Sequence, residues 1–467
     1  KIMNILLINP SFNLKEQYGE AGKILSLRLP MGLLYIATYL EKQGVNVKIV
    51  DAQIQELSKI FFEKYFEHFL PDIVGISACT PTFHEALRIL SIIKSISPSI
   101  KTSMGGIHPS FFSENVLKHN EVDFVIRGEG EITFWESINK NFDLTGIDGI
   151  SYKNDNGIVI HNKDRVPISN LDILPFPNRK LLPFEKYVET IITSRGCPFN
   201  CIFCSAKNIL GEKYRTRSAL NVVEEIGSFI ENGTTFFFVL DDNFCVNKKR
   251  VEEICLLLIQ KNYHKKIEWG CETRVDLVDE KMLNLMRKSG CIRIFFGLET
   301  HSQKLLDTLN KNVKIEENEK AVKLAQKSGM EVRGSFILGI PGETKEESIK
   351  TIKYAKKLKL TEAKFSLITP YPGTKLFEIA QNEGLKITEQ DWPQLSTVSG
   401  FSNYQPVYVP KGRNKKELVR LQMRAYLEFY LQFYQIKRIY KEIKSIKDFF
   451  KFFKIFIDII MKMVKKR

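Results

Sequence analysis

Short apolar segments alternate with amphipathic segments along roughly the first 135 residues of the chain. The apolar segments have the length and composition of strands that are buried on both faces of a sheet. They are Ile2–Ile8, Val47–Val50, Ile73–Ser77, Lys101–Met104 and Phe124–Ile126. Helical periodicity is found in Leu33–Lys42, His84–Ser95 and Glu131–Asn139. This alternation predicts an α/β, Rossmann-like domain with a parallel, doubly wound sheet.

A second series of strands and helices runs from about residue 188 to about residue 385. Its strand candidates are Glu189–Thr193, Thr235–Leu240, Glu268–Glu272, Arg293–Phe296, Glu331–Leu338 and Glu362–Ile368. Repeated βα units of this length predict a partial (β/α)6 barrel of the TIM type. Chemistry in such barrels is carried by residues that follow the carboxyl ends of the strands.

The pattern divides the chain into four regions. Residues 1–138 form the Rossmann-like domain, and residues 139–187 form a linker with a short hairpin around the turn sequence Asn154–Gly157. Residues 188–385 form the partial barrel. Residues 386–467 form a C-terminal region whose pattern is helical and basic after Pro410.

Composition narrows the class of protein. The apolar runs are too short to span a membrane, and we interpret Ile2–Ile8 as a buried strand and not as a signal peptide. The chain has eight cysteines, of which only three lie close together in the sequence, so a disulfide framework is not expected. This indicates a reducing, cytoplasmic compartment. Much of the net charge of +15 lies in Lys437–Arg467, which contains 11 basic residues and three acidic ones. The body of the chain is only mildly basic, so we expect no nucleic-acid partner.

Three cysteines, Cys197, Cys201 and Cys204, follow the first barrel strand with the spacing C-x3-C-x2-C. Three thiolates on one loop can hold three irons of a [4Fe-4S] cluster and leave the fourth iron open. The alternative is a zinc site, which needs a fourth ligand to be structural. No histidine lies between His161 and His264 to supply it.

The loop resembles that of the radical S-adenosylmethionine (SAM) superfamily, in which an aromatic residue, here Phe203, precedes the third cysteine. Further segments are similar to the subfamily that carries an N-terminal cobalamin (B12)-binding domain. In the barrel these are Tyr214–Ser218, Asp241–Phe244, Thr273–Asp276, Phe296–Glu299, Leu338–Thr344 and Tyr371–Thr374. In the N-terminal domain they are Leu29–Leu33, Gly105–Pro109 and Arg127–Glu131. The resemblance covers roughly residues 1–385.

The resemblance implies that SAM binds the open iron and that strand-end residues hold the rest of it. Asp241 would accept a hydrogen bond from the SAM amino group, Glu299 would bind the ribose hydroxyls, and Arg274 would pair with the carboxylate. Phe203 and Gly339 complete the predicted SAM-binding set. The alternative for each residue is an ordinary ion-paired or solvated strand end.

The N-terminal domain resembles cobalamin-binding domains in its hydroxyl and glycine residues. Ser77, Thr80, Gly105, Gly106 and His108 form the predicted cobalamin-binding set. Paired glycines let a ligand approach the backbone closely, although they also occur in ordinary tight turns. The sequence after the first strand lacks the histidine that binds cobalt in the best-known cobalamin motif. The lower axial ligand is therefore open.

If cobalamin is present, the resemblance implies reductive cleavage of SAM to a 5′-deoxyadenosyl radical and methyl transfer to an unactivated carbon. A radical SAM oxidoreductase or cyclase, using cobalamin otherwise or lacking it, is the alternative enzyme. A non-catalytic iron–sulfur electron carrier is the alternative of another class. We expect a small-molecule or lipid-like substrate and an electron donor such as flavodoxin or ferredoxin.

The end of the chain has an amphipathic, basic pattern. Phenylalanine and other apolar residues recur at helical spacing at Phe449, Phe452, Phe453, Phe456, Ile460 and Met463, with lysines on another face. One interpretation is a helix packed on the barrel. The other is peripheral contact with an anionic membrane surface.

Overall fold

The computed structural model describes residues 2–11, 27–397 and 405–442, together with residue 454. The contacts among them define two compact units. The first contains the described residues up to Thr190 and the segment 205–217. The second contains residues 191–204 and the described residues from 218 onward.

The first unit is a sheet flanked by helices. The strands of this sheet are β1 Asn4–Asn9, β3 Asn46–Asp51, β4 Ile73–Ser77, β5 Lys101–Gly105, β6 Phe124–Ile126, β7 Ile150–Lys153 and β8 Val159–His161. Two further strands, β2 Leu27–Arg28 and β9 Tyr187–Ile191, lie outside it and pair with each other in parallel. The helices of the unit are α1 Met31–Lys42, α2 Lys59–His68, α3 Phe83–Ile96, α4 Ile107–Phe111, α5 Ser113–Leu117 and α6 Glu131–Asn139. The predicted doubly wound domain is confirmed, and each of its predicted strands and helices is present.

The strand order in this sheet is β3-β1-β4-β5-β6-β7-β8. Strands β1, β3, β4, β5 and β6 pair in parallel, and β7 and β8 continue the sheet in the antiparallel sense. The predicted hairpin is therefore part of this sheet. The order changes direction between β1 and β4, and ligands in such folds bind at the carboxyl ends of strands near that point. The candidate cobalamin residues follow β4 and β5 at this edge.

The second unit is the partial barrel. Its longer strands are β12 Phe236–Val239, β13 Glu268–Thr273, β14 Cys291–Glu299, β15 Glu331–Leu338 and β16 Glu362–Leu367. These five pair in parallel in chain order. Ile191, the last residue of β9, accepts a hydrogen bond from the backbone N–H of Leu240 directly after β12 (2.8 Å). The six predicted barrel strands are thus all present, and the predicted barrel fold is confirmed. Short strands β10 Ser194–Arg195 and β11 Arg215–Thr216 and helix α7 Ala206–Leu210 follow β9 in the chain.

Helices cover the outer face of the barrel sheet. They are α8 Ala219–Glu231, α9 Lys248–Gln260, α10 Glu280–Lys288, α11 Gln303–Thr308, α12 Ile315–Lys327, α13 Lys345–Lys357, α14 Lys375–Asn382, α15 Lys415–Tyr430 and α16 Phe433–Glu442. Large aromatic side chains from the strands, among them Trp269, Phe336 and Phe365, are fully buried beneath them. Burial on this scale is the main stabilising term of the fold.

Helix α15 continues the barrel layer at the β16 edge. The side-chain amide of Gln422 donates to the carbonyl of Phe365 (2.8 Å), and Phe429 is fully buried. The predicted helical C-terminal region is therefore present up to Glu442, whereas the phenylalanine-rich stretch that begins at Phe449 lies outside the described residues. None of the described helices combines the length and the apolar composition needed to cross a membrane.

Candidate active site and cobalamin edge

The cysteine loop begins directly after β9 and β10. Cys197 and Cys201 are partly buried and Cys204 is exposed, and none of the three forms a disulfide. Gly196 has a φ of +89°, which favours glycine just before the first cysteine. Ile202 fixes the middle of the loop, because its N–H donates to Leu309 O (3.1 Å) and its carbonyl accepts from Leu376 N (2.8 Å).

Asp241, the residue predicted to meet the SAM amino group, fastens the start of this loop. Its buried carboxylate accepts hydrogen bonds from the backbone and hydroxyl of Thr193 (2.6 and 2.5 Å). It also accepts from the backbone and hydroxyl of Ser194 (3.0 and 2.6 Å). The Arg250 guanidinium lies 3.7 Å away. Hydrogen bonds to a charged acceptor are the stronger kind, so Asp241 fixes the path of the chain into the cysteines.

Arg274, the residue predicted to pair with the SAM carboxylate, faces the cysteine loop. Its guanidinium makes a bidentate ion pair with Asp276 (2.9 and 3.0 Å) and stacks on Phe199, with 3.8 Å from Cζ to the ring centroid. Its Nη1 lies 3.9 Å from Cys201 Sγ. Burial raises the pKa of the Cys201 thiol, while the positive charges of Lys311 and Arg274 act in the opposite direction. Arg274 therefore places a fixed positive charge beside a cluster cysteine.

Glu299, the predicted ribose ligand, ends β14 in a left-handed conformation with a φ of +58°. The pairing of β14 with β15 shifts register between Gly297 and Glu299, which marks a bulge. The buried Glu299 carboxylate forms an ion pair through Oε1 with the buried ammonium of Lys311. Lys311 also donates to the carbonyl of Gly297 (3.1 Å). Left-handed backbone is rare for residues other than glycine and clusters at functional sites.

Gly339 follows β15 with a φ of +78°. Its N–H and that of Ile340 (3.1 Å) both donate to the carboxylate of Glu343. Arg413 lies 3.3 Å from the same carboxylate, yet burial raises the pKa of Glu343 to about 7. A Cβ on Gly339 would lie 3.1 Å from the side chain of Leu418, so α15 closely supports this turn.

The predicted SAM residues thus lie together on one edge of the barrel. Asp241, Arg274 and Glu299 follow or end successive strands, and Gly339 follows the next strand. Partly buried Phe203 packs against an apolar cluster that contains Ile202 and Ile340. Contact of these residues with SAM itself stays a prediction. Cysteine thiols, an arginine and a carboxylate at this edge have the donor chemistry that a [4Fe-4S] cluster and its SAM ligand require.

Two features of this edge were missed by the sequence pattern. Lys311 lies in the loop after α11, and a single lysine in a polar loop gives no signal of burial. The second feature is Asp242, whose side chain is accessible to solvent at its surface. The protein atoms packed around its carboxyl group and the negative charges of Asp241 and Glu272 disfavour its ionised form and raise its pKa to about 6. An acidic pair at a barrel strand end was a usable signal for it.

The other barrel cysteines lie away from the cysteine loop in the core. Cys245, Cys255, Cys271 and Cys291 are fully buried, and the Cys271 thiol contacts those of Cys245 and Cys291. Within the described ranges, no three His, Cys, Asp or Glu side chains are arranged around the position of a single metal ion. That the three thiols of the loop hold the cluster stays a prediction from their spacing in the sequence.

The two glycines of the first unit differ in what surrounds them. Gly106 has a φ of +101°, and a Cβ there would lie 2.8 Å from Ala78 O and 3.0 Å from Ser77 Oγ. Gly105 has no such restraint, since a Cβ would make only ordinary contact with Ile126 (3.5 Å). Gly106 is therefore required by the fold, whereas the backbone at Gly105 could accept a Cβ without displacing its neighbours.

His108 and Thr80 form a buried pair behind this edge. His108 Nδ1 lies 3.2 Å from Thr80 Oγ1, and the ring packs against Phe83 and Phe112 with no solvent-accessible surface. Burial lowers the pKa of His108 to about 3, so the ring is neutral. Ser77, at the end of β4, is partly accessible. Within the predicted cobalamin set, Ser77 and Gly105 thus face the edge, and His108 and Thr80 support it from the core.

Family models match both units. The radical SAM superfamily model matches residues 191–369, and the B12 binding domain model matches residues 22–137. An uncharacterized methyltransferase of Pyrococcus horikoshii is 37% identical, over 92% of this chain and 93% of its own length. The anaerobic magnesium-protoporphyrin IX monomethyl ester cyclase of Rubrivivax gelatinosus is 32% identical over 92% of this chain and 78% of its own length.

A solved structure shares the fold over nearly the whole chain. OxsB, a cobalamin-dependent SAM radical enzyme solved with aqua-cobalamin and SAM bound, superposes with a TM-score of 0.75 and 18% identity. The alignment covers 99% of this chain and 72% of that one. This chain belongs to the radical SAM superfamily, in the branch of enzymes that join a B12-binding domain to the radical SAM domain and use a [4Fe-4S] cluster, SAM and cobalamin.

Proposed function

We propose that this enzyme transfers a methyl group to an unactivated carbon of a small, apolar or lipid-like molecule. The observation that carries the proposal is that the cysteine loop, Arg274 and Glu299 lie together on one barrel edge. The chain that contains them is 37% identical, along almost its full length, to an uncharacterized methyltransferase. The cluster supplies the electron that cleaves SAM, and bound cobalamin supplies the methyl group.

The roles of the chain's own residues follow from their positions. Asp241 holds the start of the cysteine loop, and Arg274 keeps a positive charge against Cys201. Glu299 lies at the bulge that ends β14, and we assign its carboxylate to the ribose hydroxyls of SAM. Gly105 leaves the backbone at the end of β5 open to the nucleotide tail of cobalamin. The exposed third cysteine, Cys204, gives an acidic electron donor such as flavodoxin or ferredoxin access to the cluster.

The products of SAM separate this function from its rival. Methyl transfer consumes SAM as a methyl donor, which yields S-adenosylhomocysteine, and as a radical source, which yields 5′-deoxyadenosine. A cyclase or oxidoreductase, the activity named for the Rubrivivax relative, yields 5′-deoxyadenosine alone. The test is anaerobic protein loaded with iron, sulfide and cobalamin, incubated with SAM and reductant. Formation of both products supports methyl transfer, and 5′-deoxyadenosine without S-adenosylhomocysteine contradicts it.

We further propose that the C-terminal region docks on an anionic membrane surface, where an apolar substrate would be found. Helix α16 exposes Phe433, Ile436 and Tyr440, which recur at helical spacing and are 82%, 49% and 76% accessible. Lys437 and Lys441 are exposed beside them. The opposite face is attached to the barrel, since Gln435 donates to Leu360 O (2.9 Å). An apolar stripe flanked by lysines is typical of interfacial helices.

Vesicle co-sedimentation tests this docking. Each lysine near an anionic bilayer contributes about 1 kcal/mol, so binding should weaken as salt rises. We expect the double variant Phe433→Ser, Tyr440→Ser to lose binding to anionic vesicles while staying folded. The matched control is Leu256→Ser, which removes a comparably exposed apolar side chain (56% accessible) from α9. Equal binding by the double variant and the control would refute docking through α16.

A further inference from the structure

The loop Leu309–Asn312, which joins α11 to α12, contacts the cysteine loop at two points. The carbonyl of Leu309 accepts from Ile202 N (3.1 Å), and Leu309 is fully buried in the same apolar cluster as Ile202. The side-chain amide of Asn310 donates to the carbonyl of Asn200 (2.8 Å). Asn200 and Ile202 flank Cys201. The central cluster cysteine is therefore held from both sides by consecutive residues of another loop.

The next residue of the same loop extends these contacts to the SAM edge. The carbonyl of Lys311 accepts from Arg274 Nη2 (2.7 Å), and Arg274 in turn lies against Cys201 and Phe199. The Lys311 ammonium pairs with Glu299. Three consecutive residues thus touch the cysteine loop, the arginine beside it and the strand-end carboxylate.

The local backbone is shaped to permit this arrangement. Asn310 and Asn312 have φ values of +52° and +53°, a left-handed conformation that asparagine tolerates better than most residues. At Gly297, a Cβ would lie 2.5 Å from Glu299 Oε1 and 2.6 Å from Lys311 Nζ. Any other residue at position 297 would displace the buried ion pair. Left-handed backbone at two asparagines and the close approach of the ion pair to Gly297 occur in the same small region. Such strain is retained where it serves a function, so we do not treat these contacts as accidental.

We propose that the loop 309–312 is a positioning device, which sets the distance and orientation of the cysteine loop relative to Glu299. Asn310 and Lys311 are positioning residues in this device. The inference rests on the proposed function, in which SAM is bound at once by the cluster and by Glu299. Because a small misplacement of a reacting bond reduces rate strongly, such a device affects chemistry more than folding.

A matched pair of variants tests the device. Asn310→Gly removes the hydrogen bond to Asn200 while glycine retains the left-handed backbone. Asn312→Gly makes the same change two residues along, at nearly the same φ. It removes only a long contact from Asn312 Nδ2 to Asn310 Oδ1 (3.5 Å) and leaves the Asn310 amide N–H that donates to the cysteine loop. A second pair, Asn310→Asp and Asn312→Asp, replaces the amide donor with a carboxylate at both places. All four substitutions lie in the loop between α11 and α12 and change no residue of either helix.

The main readout is the electron paramagnetic resonance spectrum of the reduced cluster, recorded with and without SAM. We expect Asn310→Gly and Asn310→Asp to alter the shift that SAM causes and to lose iron to a chelator faster than wild type. The rate of SAM cleavage should fall about two- to tenfold through kcat, as expected for one hydrogen bond. Both Asn312 variants should match wild type.

Three results have distinct meanings. If the Asn310 variants equal their Asn312 controls in spectrum, iron loss and kcat, the positioning role is overturned. A wild-type cluster that fails to respond to SAM would instead overturn the proposed function. A fall in melting temperature without any spectral change would identify Asn310 as merely structural and likewise overturn the positioning role.

Discussion

The two parallel sheets of this chain each present a carboxyl edge with candidate ligand residues, but the edges are built differently. On the barrel edge the polar side chains bind one another and the cysteine loop, as Asp241 does with Thr193 and Lys311 with Glu299. On the edge of the first unit, the histidine and threonine are withdrawn into the core and the accessible part is mainly backbone. The polar side chains of the barrel edge thus hold one another in place, whereas on the first edge mainly backbone stays accessible.

The largest expected effect is at the cysteine loop. Cys201→Ala should abolish reductive cleavage of SAM, because in the proposed site each loop thiolate would hold one iron. Cys255→Ala, which removes a buried core thiol, should retain iron and cleavage. Iron content and 5′-deoxyadenosine formation measure both. Cleavage at the wild-type rate by Cys201→Ala would exclude this cluster assignment.

The first edge is tested by corrinoid binding. Gly105→Leu should remove cobalamin, since its side chain fills the space at the end of β5 while its Cβ clashes with nothing. Lys101→Leu adds the same side chain at the opposite, exposed end of the same strand and should bind normally. The measurement is corrinoid retained per chain after desalting. Gly106 is unsuitable for this test, because a side chain there collides with the carbonyl of Ala78.

A smaller effect is expected from the strand-end carboxylate. Glu299→Gln keeps an acceptor for Lys311 but weakens hydrogen bonds to the ribose. Bonds to a charged group contribute about 1.5–3 kcal/mol, so kcat/KM for SAM should fall roughly 10- to 100-fold. Steady-state kinetics of 5′-deoxyadenosine formation measure it, with the melting temperature as a check on folding. An unchanged kcat/KM would remove Glu299 from the SAM site.

The smallest effect at neutral pH concerns the buried histidine, whose contribution appears only as the pH falls. Its pKa is lowered from about 6.5 to about 3 in the native protein, so the native state gains stability above pH 6.5 and loses it as the pH falls toward 3. Each pH unit within this window costs at most about 1.4 kcal/mol. His108→Leu should flatten the acid side of the stability curve, and His68→Leu, which removes an exposed histidine, should not. Equal slopes in urea titrations would place His108 in solvent.

The hydrophobic pattern and the motifs of the sequence predicted most of the strands and helices and the candidate residues of the barrel edge. The regular strands and the cysteine spacing are local signals, so a single sequence contains them. Helix α2 was not predicted, although its buried residues Phe62 and Phe66 lie four positions apart, which is a helical spacing. The sequence did not predict the burial of Lys311 or the contact among Cys245, Cys271 and Cys291. Both involve residues that are far apart in the sequence and lie together only in the folded chain. Local sequence gives no measure of such distances.

The separation of the cysteines into two environments has a practical consequence for following cluster assembly. Alkylating reagents reach thiols in the native protein only where sulfur atoms are accessible, which holds for the loop cysteines and fails for the four sealed within the barrel wall. Iron binding would shield the loop thiols in turn. Mass-spectrometric labelling of the native protein, counted on the peptide that contains the loop cysteines, therefore measures the chains that lack a cluster, because the sealed thiols contribute no background and the partly accessible Cys79 lies on a different peptide.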